Sequence, residues 1–596
     1  MSLYDAARIE KPKYLKLGPL KVGRGNRKPH VVGFDTEASR GQPILLQFSE
    51  GGGPEAADLL EVPDRPNACI DRFMDWTSTH CRSRGQEHII VGFNLQYEWT
   101  QLFGDMPAEL AAAKEFEVIW EGPDQRWRLT VWNHRRHAMT MLGETNHVRV
   151  RVLDAAAFFP GSLNAVAGMV GVERKDDMDK QWLANLTRAD LSDPLFRHYA
   201  AQDAVVTRLI GERIVTIHEE YDLQTCMTAP QFASRVFRRH FLNAVIPLPN
   251  LELEQAGLAS YHGGKNGFYL KEPTRTRAWN MDIVSAYPEA MRALPALENS
   301  QWHQRTTYKP GVHALWQVRM DHRPCRYVGA MEHGGQPLRR GYRDVWITGY
   351  ELDPMVERRE LFNLTVLDGW VLEGPHGGGA LVNYVDTFFA KKQVDTGPAR
   401  ATDKLLLNAL YGKFFQKQPL GSVGNLEGIM DPETLETVFY EVSGNPLQDY
   451  DYRAGGLYHP PIASLITGFV RGKVHRLEHR YDAIATSTDG FFARKPPWTA
   501  DRGTELGKLT AEEGVLDIWR ERLYAFGDGR EHYTKAALHG FRGNAEALRE
   551  IPLKPGSYSY TARHPVTLRE SQQLLRGSRY RPGEFAALTF TLDLSA

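Results

Sequence analysis

The sequence predicts a multidomain protein of the α/β and α+β classes. Its 596 residues are enough for several folding units. Between residues 30 and 213, short strand-like apolar runs alternate with helical patterns, which is typical of an α/β domain. Farther along, strand-like runs such as V-H-A-L-W-Q-V-R-M and long helical patterns follow one another without strict alternation. We therefore expect a mixed second half.

The composition is that of a soluble globular protein. Hydrophobic residues make up 42% and charged residues 24% of the chain, and no apolar run is long enough to span a bilayer. The four cysteines show neither metal-ligand nor disulfide spacing, and the first residues lack the apolar core of a signal peptide. We expect a reducing, cytoplasmic location and no membrane partner. The net charge of −1 means that binding to nucleic acid would need locally concentrated basic residues.

Residues 11–28 form a basic stretch without a single acid, interrupted by glycine and proline. Such a segment is either a solvated tail or an arm that contacts phosphate, and the pattern fits both. Its basic residues are Lys11, Lys13, Lys16, Lys21, Arg24, Arg27 and Lys28.

A strand beginning at His30 carries the first candidate site. In V-V-G-F-D-T-E, Asp35 and Glu37 are two residues apart and therefore lie on the same side of the strand. Two carboxylates on one face repel each other unless a cation or a proton lies between them. This pair therefore indicates a divalent metal site.

Further strands are predicted at residues 43–49, 87–93 and 150–154, and a helix at residues 191–213. The strand at residues 87–93 ends in F-N-L-Q-Y-E-W, which supplies Asn94, Tyr97 and Glu98. In the helix, Tyr199 and Asp203 are four residues apart and share one face.

The stretch N-M-D-I-V-S-A-Y-P, residues 280–288, has the pattern of a strand end followed by a helix. A carboxylate there, Asp282, suits Mg²⁺, and the nearby Tyr287 suits the wall of a nucleotide site. Taken alone, an aspartate in such a turn is more often a helix cap.

A helix is predicted at residues 399–416, containing K-L-L-L-N-A-L-Y-G-K-F. Lys404, Asn408 and Tyr411 follow the i, i+4, i+7 spacing of one helical face, which Arg400 extends by a turn. Two cations on one face fit a triphosphate, although an ordinary amphipathic helix shows the same spacing.

Three shorter motifs remain. S-Y-H-G-G-K-N contains Tyr261, Gly263 and Gly264, and paired glycines allow close approach of another chain but usually mark a turn. A-T-S-T-D-G reads as a hairpin with Asp489 at its tip, and W-R-E-R-L-Y contains Arg522 and Tyr524.

In order along the chain, these motifs resemble those of family B DNA polymerases, nearest the protein-primed branch of small phages and linear plasmids, of the Bacillus-phage type. The N-terminal motifs are similar to those of DnaQ-like 3′→5′ proofreading exonucleases. The resemblance implies an RNase H-like exonuclease domain followed by a right-hand polymerase with palm, fingers and thumb. The expected domains are a basic arm (1–28), the exonuclease (29–225), the palm (226–387 and 457–500), the fingers (388–416), an insertion (417–456) and the thumb (501–596).

The resemblance assigns a role to each residue in the exonuclease. Two Mg²⁺ ions about 4 Å apart, replaceable by Mn²⁺, would bind the carboxylates of the site. Tyr199 would orient the attacking water, Lys175 in E-R-K-D-D would lie beside the scissile phosphate, and Asn94 and Tyr97 would hold the frayed 3′ end. A solvated charge is the alternative for Lys175. The expected metal ligands are Asp35, Glu37, Glu98 and Asp203, with Glu98 standing where the family has aspartate.

The resemblance assigns the polymerase roles in the same way. Asp282 and Asp489 would bind two Mg²⁺ ions, with Ser487 standing where the family usually has a first aspartate. The residues expected to bind the dNTP are Tyr287, Arg400, Lys404, Asn408 and Tyr411. The residues expected to contact primer–template DNA are Tyr261, Gly263, Gly264, Arg522 and Tyr524.

The implied function is DNA-directed DNA synthesis with proofreading, replicating a phage or mobile-element genome in a bacterial host. The 417–456 insertion implies processive, strand-displacing synthesis, with an irregular surface loop as the alternative. A terminal protein is a candidate primer, and this architecture acts as a monomer. There are two competing interpretations. Ser487 suggests an exonuclease with a disabled polymerase, and Glu98 and Ser487 together suggest a DNA-binding subunit that is disabled at both sites.

Overall fold

The structure is a computed structural model that describes most of the chain. The described residues are 9–10, 17–20, 28–105, 115–122, 125–134, 136–176, 178, 180–183, 185–323, 326–327, 332–333, 336–337, 343–419, 425–430, 437–441, 452–529, 533–542, 544–565 and 585–594. Most of the basic arm, much of the 417–456 insertion and the basic segment 566–584 of the expected thumb lie outside the described residues.

A ten-stranded sheet organises the N-terminal part. Its central strands pair in parallel, with His30–Ser39 beside Glu87–Gly92 and the latter beside Arg149–Asp154, as the predicted α/β class requires. In spatial order the strands are Thr437–Glu441, Asn425–Met430, Glu115–Glu121, Arg126–His134, Arg136–Gly143, Arg149–Asp154, Glu87–Gly92, His30–Ser39, Gln42–Ser49 and Asp58–Glu61. The helices of this part are Ala68–His80, Gln96–Leu102, Leu163–Val170, Lys180–Leu183 and Pro194–Glu220, with 3₁₀ turns at Pro54–Ala56, Ala155–Ala157 and Arg188–Ser192.

The first two strands of this order come from the 417–456 insertion. Asn425–Met430 and Thr437–Glu441 form a hairpin, and the first of them pairs in parallel with Glu115–Glu121. The insertion therefore extends the N-terminal sheet, although it is far away in sequence.

The helix Pro194–Glu220, called the long helix below, packs closely on strand His30–Ser39. Gly33 makes this approach possible: an added Cβ there would lie 1.9 Å from the carbonyl oxygen of Ala204 and 2.6 Å from the amide nitrogen of Arg208. The same contact brings Asp203 of the long helix to the strand that carries Asp35. The glycine thus sets the distance between two predicted metal ligands.

Replacing Gly33 with alanine is therefore expected to push the long helix away from the sheet. Overpacking of this kind costs roughly 1–3 kcal/mol of unfolding free energy. Any 3′→5′ degradation should fall more than primer extension, because only the residues predicted for the exonuclease span this contact. Urea unfolding and both activities would be measured. Gly51→Ala is the matched control, since a Cβ at Gly51 meets nothing within 4 Å. Equal stability of the two variants would contradict the packing argument.

A second, antiparallel sheet of seven strands carries Asp282 and Asp489. Its spatial order is Lys265–Phe268, Ala483–Thr488, Gly490–Ala493, Thr274–Ile283, Leu509–Arg520, Leu523–Gly527 and Tyr533–Leu538. The last three strands follow residue 501, so this sheet continues past the palm–thumb boundary expected from the sequence.

The helices associated with the seven-stranded sheet include Pro460–Tyr481, called the central helix below. Its residues Ile462, Leu465, Ile466 and Val470 are buried, and Phe469 is half-buried, as the apolar stripe in the sequence predicts. The other helices of this region are Ala229–Val236, Leu251–Ala259, Ala286–Ala293, Ala380–Val394 and Gly397–Ala409, with a π-helical turn at Phe237–Phe241 and 3₁₀ turns at Leu297–Asn299 and Tyr411–Phe415.

The predicted helix 399–416 is too long at its C-terminal end. The α-helix stops at Ala409, and Tyr411 lies in the following 3₁₀ turn. Tyr411 therefore does not continue the helical face of Lys404 and Asn408. Its ring instead stacks on Tyr287, with centroids 3.9 Å apart and planes 5° apart.

A four-stranded sheet and smaller elements complete the fold. The strands of the four-stranded sheet are, in spatial order, Gln301–Gln304, Leu361–Glu373, Ala314–His322 and Arg343–Thr348. Helix Gly349–Glu357 follows strand Arg343–Thr348 directly along the chain. The remaining elements are helix Ala545–Leu548 and strands Ile9–Glu10, Glu332–His333, Gln336–Pro337, Lys417–Pro419, Tyr452–Ala454, Ser557–Pro565 and Phe585–Asp593. Among the described helices, none has the length and apolarity needed to cross a membrane.

Candidate active sites

Four carboxylates from three elements meet beside the interior strand His30–Ser39 of the ten-stranded sheet, and we call them the carboxylate cluster: Asp35, Glu37, Glu98 and Asp203. Oxygens of Asp35, Glu37 and Asp203 all lie within 4.8 Å of one another. Glu98, in helix Gln96–Leu102, is 3% exposed and shares a side-chain hydrogen bond with Asp35. The longer glutamate side chain thus reaches the other acids, and the four predicted ligands come together.

The electrostatics of the carboxylate cluster suit a bound cation. Burial, together with the charge of Asp203, raises the pKa of Asp35 to about 7. Burial and the neighbouring Asp35 also raise the pKa values of Glu37 and Glu98. Oε2 of Glu98 is buried without a hydrogen-bond partner among the described residues. Buried, like-charged oxygens without partners are what a divalent metal ion would satisfy.

Lys175 occupies the position beside Asp203. Its Nζ lies 2.7 Å from the Asp203 carboxylate and donates a 2.7 Å hydrogen bond to the Tyr199 hydroxyl. Burial lowers the pKa of Lys175, but Asp203 and Tyr199 outweigh this and raise it, so the ammonium stays charged. Asn164 clamps the Lys175 backbone from both sides, accepting from its N–H at 2.9 Å and donating to its carbonyl at 3.1 Å. The Lys175 side chain is therefore paired at the carboxylate cluster and is 19% exposed.

The turn that carries Asn94 is held by a residue that the sequence analysis missed. Asn94 has a left-handed backbone, with φ of 59°, and its N–H donates to Oδ1 of Asp154 at 2.8 Å. Asp154 ends a parallel strand next to Glu87–Gly92. Asn94 is exposed and Tyr97 half-buried, and the pKa of Tyr97 is raised by burial and by Glu37. The sequence signal that could have indicated Asp154 is its position as an acid at the end of a neighbouring predicted strand.

We expect Mg²⁺ to stabilise the protein more at pH 8 than at pH 6. The raised pKa of Asp35 means that the metal-free fold is favoured by the protonated acid, and this contribution is lost as the pH rises through about 7. Mg²⁺ needs the deprotonated carboxylate, so below pH 7 it must displace a proton. The midpoint of thermal unfolding with and without Mg²⁺ would be measured at several pH values. Asp35→Asn should weaken the pH dependence without removing it, because the pKa values of Glu37 and Glu98 are raised as well. A pH-independent Mg²⁺ effect in the wild type would contradict the assignment.

A second site is a cavity of about 840 Å³ at the seven-stranded sheet. It gathers predicted residues that are far apart in sequence: Asp282, Tyr287, Arg400, Lys404, Asn408, Tyr411, Asp489 and Tyr524. Ser487, at the position of the missing first aspartate, also lines it.

Asp282 and Asp489 are brought together by strand pairing. Asp282 lies opposite Gly490, and the N–H of Ile283 donates to the carbonyl of Asp489 at 3.1 Å. A Cβ at Gly490 would be 2.1 Å from Oδ1 of Asp282, so a larger residue there would displace the Asp282 carboxylate. Burial and the charge of Asp282 raise the pKa of Asp489. An acid pair of this kind can hold a divalent metal ion.

Lys535 is an additional residue of this cavity that the sequence analysis missed. Its Nζ lies 2.8 Å from Oδ2 of Asp282 and 3.3 Å from Oδ1 of Asn280. It comes from strand Tyr533–Leu538, the next strand after the one that carries Tyr524, and no motif marks it. Only the pairing order of the sheet brings it beside Asp282.

Three further cations line the cavity: Lys392, Arg400 and Lys404. The sequence analysis also missed Lys392, which lies in the last turn of helix Ala380–Val394 and whose Nζ donates to the Ser285 hydroxyl at 3.0 Å. Burial, followed by the charges of Lys404 and Arg400, lowers the pKa of Lys392. A cluster of like charges that destabilise one another suits a polyanion such as a triphosphate.

The Y-H-G-G-K segment lies beside this cavity. The Tyr261 ring stacks on Phe415, with centroids 3.5 Å apart, and the Gly263 carbonyl accepts a 3.0 Å hydrogen bond from Arg471. A Cβ at Gly264 would lie 2.7 Å from Cγ2 of Thr488, next to Asp489. None of these predicted DNA contacts lines the cavity itself.

Arg522 and Tyr524 belong to the same hairpin but have different surroundings. Tyr524 is buried, packs edge-on against Phe492 and lines the cavity. Arg522 is exposed at the turn, with φ of 58°, and does not line it. Of this pair, only Tyr524 lies beside the other residues predicted for the polymerase site.

No protein-family model and no curated protein matches this sequence. Solved structures do match. Phi29 DNA polymerase complexed with primer-template DNA and incoming nucleotide substrates is 15% identical, with a TM-score of 0.64 over 96% of this chain and 100% of that chain. Phi29 DNA polymerase complexed with single-stranded DNA is 14% identical, with a TM-score of 0.62 over 95% of this chain and 100% of that chain. The chain therefore has the fold of Phi29 DNA polymerase, as its resemblance to protein-primed family B DNA polymerases predicted.

Proposed function

We propose that this protein is a DNA-directed DNA polymerase with a 3′→5′ proofreading exonuclease. The observation that carries the proposal is the pairing, in one cavity, of the Asp282–Asp489 acid pair with Lys392, Arg400 and Lys404. Acids that hold metal ions facing cations that bind phosphate are what phosphoryl transfer from a triphosphate requires. The separate carboxylate cluster supplies a second metal site for hydrolysis.

In the polymerase site, Asp282 and Asp489 hold two Mg²⁺ ions, for which Mn²⁺ can substitute. When bound, these ions lower the pKa of the primer 3′-hydroxyl and neutralise charge on the transferring phosphate. Arg400 and Lys404 bind the triphosphate, and Asn408 and the stacked Tyr287–Tyr411 pair form the wall against the nucleotide. Tyr287 excludes a 2′-hydroxyl by its bulk, which favours dNTPs over ribonucleotides.

In the exonuclease site, Asp35, Glu37, Glu98 and Asp203 hold the second pair of ions. Tyr199 orients the attacking water, and Lys175 places its ammonium beside the scissile phosphate. Asn94 and Tyr97 bind the frayed 3′ end. Tyr261, Gly263 and Gly264 contact the template between the two sites, and Arg522 and Tyr524 contact the primer.

We further propose processive, strand-displacing replication of a phage or mobile-element genome in the cytoplasm of a bacterial host. The protein would act as a monomer, primed by an ordinary 3′ end or by a terminal protein. The fold shared with Phi29 DNA polymerase over 96% of the chain supports this. We propose that the exonuclease spans 29–225 and the fingers 388–416, and that the palm includes the strands of the seven-stranded sheet that follow residue 501.

A second candidate is an exonuclease with a disabled polymerase, because Ser487 replaces an expected acid at the cavity wall. One assay separates the two. A labelled primer on a longer template is incubated with protein and Mg²⁺, with and without dNTPs, and the products are resolved by length. We expect extension with dNTPs and shortening without them. Shortening in both reactions would favour the second candidate, and an unchanged primer in both would favour a DNA-binding subunit.

A further inference from the structure

A third group of metal-binding side chains lies between the central helix and the four-stranded sheet. His475 and His479 are four residues apart on the central helix and share one face. Both reach Glu360, which immediately precedes strand Leu361–Glu373: each Nε2 lies 2.9 Å from a Glu360 oxygen. Ligand atoms of all three side chains lie within 4.8 Å of one another.

His322 is a buried histidine at the same junction. It ends strand Ala314–His322 and is paired with Leu361, the residue after Glu360. It is 5% exposed, and its ring nitrogens have no side-chain hydrogen-bond partner among the described residues. Its ring interacts with the backbone of Arg323 and electrostatically with Glu360 and His475. Since leaving buried polar atoms unpaired is costly, this side chain points independently to a ligand at the junction.

The second ring nitrogen of His475 faces a charged pair. A histidine that binds metal through one ring nitrogen usually has a carboxylate or carbonyl near the other. Nδ1 of His475 lies 3.0 Å from Nζ of Lys265 and 3.5 Å from Oε2 of Glu478, a carboxylate that also accepts hydrogen bonds from Tyr269 and Thr486 at 2.6 Å. Lys265 pairs with the same carboxylate and balances its charge.

We propose that Glu360, His475 and His479, with His322 as the fourth ligand, bind a structural Zn²⁺ ion. Imidazole nitrogens with one carboxylate in a closed, buried site suit Zn²⁺, whereas Mg²⁺ requires an octahedral shell of oxygens. None of the four residues lines the polymerase cavity, so this ion is distinct from the Mg²⁺ proposed there.

The position of the ion gives it a structural role. It joins two strands of the four-stranded sheet to the end of the central helix, and that helix leads directly into strand Ala483–Thr488 of the hairpin that carries Asp489. Thr486 of that strand hydrogen-bonds to Glu478, which in turn contacts His475. The Zn²⁺ would therefore anchor the base of the hairpin.

The test is the metal content of the full-length protein. Purified protein is incubated with ZnCl₂, desalted, and analysed for zinc by mass spectrometry. The wild type should retain one more Zn²⁺ per chain than His479→Gln, in which zinc at this site should fall to about one-tenth or less, since a structural site needs all four ligands. Any zinc at the carboxylate cluster cancels in this difference. His376→Gln, outside the site, is the matched control and should retain zinc like the wild type.

A second measurement covers the case in which His479→Gln does not fold. The wild type loaded with Co²⁺ should show the visible absorption of a tetrahedral cobalt site, and excess Zn²⁺ should abolish it. His322→Gln should shift that spectrum if His322 is the fourth ligand. Equal zinc in the wild type and a folded His479→Gln, or no tetrahedral cobalt spectrum in the wild type, would overturn the proposal in favour of a metal-free hydrogen-bonded network. Neither readout depends on polymerase activity.

Discussion

Asp489→Ala is expected to abolish primer extension while leaving 3′→5′ degradation intact. The carboxylate lies at the tip of its hairpin, where the backbone hydrogen bond to Ile283 holds it beside Asp282. Without it, Asp282 is the sole acid of the predicted catalytic pair, and its carboxylate already pairs with Lys535. Metal ions supply several kcal/mol of transition-state stabilisation, so extension should slow by about a thousand-fold or more.

The matched control for this variant is Glu512→Ala. Glu512 is an exposed acid on the strand next to that of Asp282, and it does not line the cavity. Extension and degradation would be measured on the same labelled primer, with and without dNTPs. Extension by Asp489→Ala at a rate near that of the wild type would show that the metal assignment is wrong. Extension by neither the wild type nor the variant would instead support the disabled-polymerase alternative.

Asp203→Ala is expected to have the opposite effect, abolishing degradation and sparing extension. Asp203 is the member of the carboxylate cluster that lies on the long helix, and its carboxylate forms an ion pair with Lys175. Its loss removes a metal ligand and leaves the Lys175 ammonium without its counter-charge. Degradation should fall by about a thousand-fold or more, for the same reason as above, and misincorporated nucleotides should persist in the extension products.

The fold must be shown to survive this change. Asp203→Asn serves this purpose, because the amide keeps an acceptor for Lys175 but is a poor metal ligand. Glu219→Ala, an exposed acid near the end of the same helix, is the control. If Asp203→Asn degrades DNA as fast as Glu219→Ala does, the carboxylate cluster is not the nuclease site. Thermal unfolding of all three variants separates loss of activity from loss of structure.

Local patterns in the sequence predicted the elements that carry both sites. Period-two alternation indicated the strands of Asp35 and Asp282, and the four-residue spacing of Tyr199 and Asp203 placed them on one helical face, because these periods follow from backbone geometry alone. The order of the motifs then predicted the polymerase fold, which the similarity to Phi29 DNA polymerase confirms. The α/β character of the first part follows from the same alternation.

Contacts that depend on strand pairing and packing could be decided only by the tertiary structure. Lys535 meets Asp282 because of the strand order of the seven-stranded sheet, and the insertion hairpin joins the ten-stranded sheet through Asn425–Met430. Tyr411 lies in a 3₁₀ turn instead of the predicted helix, and its ring stacks on Tyr287. Glu360, which immediately precedes a strand of the four-stranded sheet, reaches His475 of the central helix. In each case the partners are far apart in sequence, and their meeting depends on the packing of whole elements, which local periodicity does not encode.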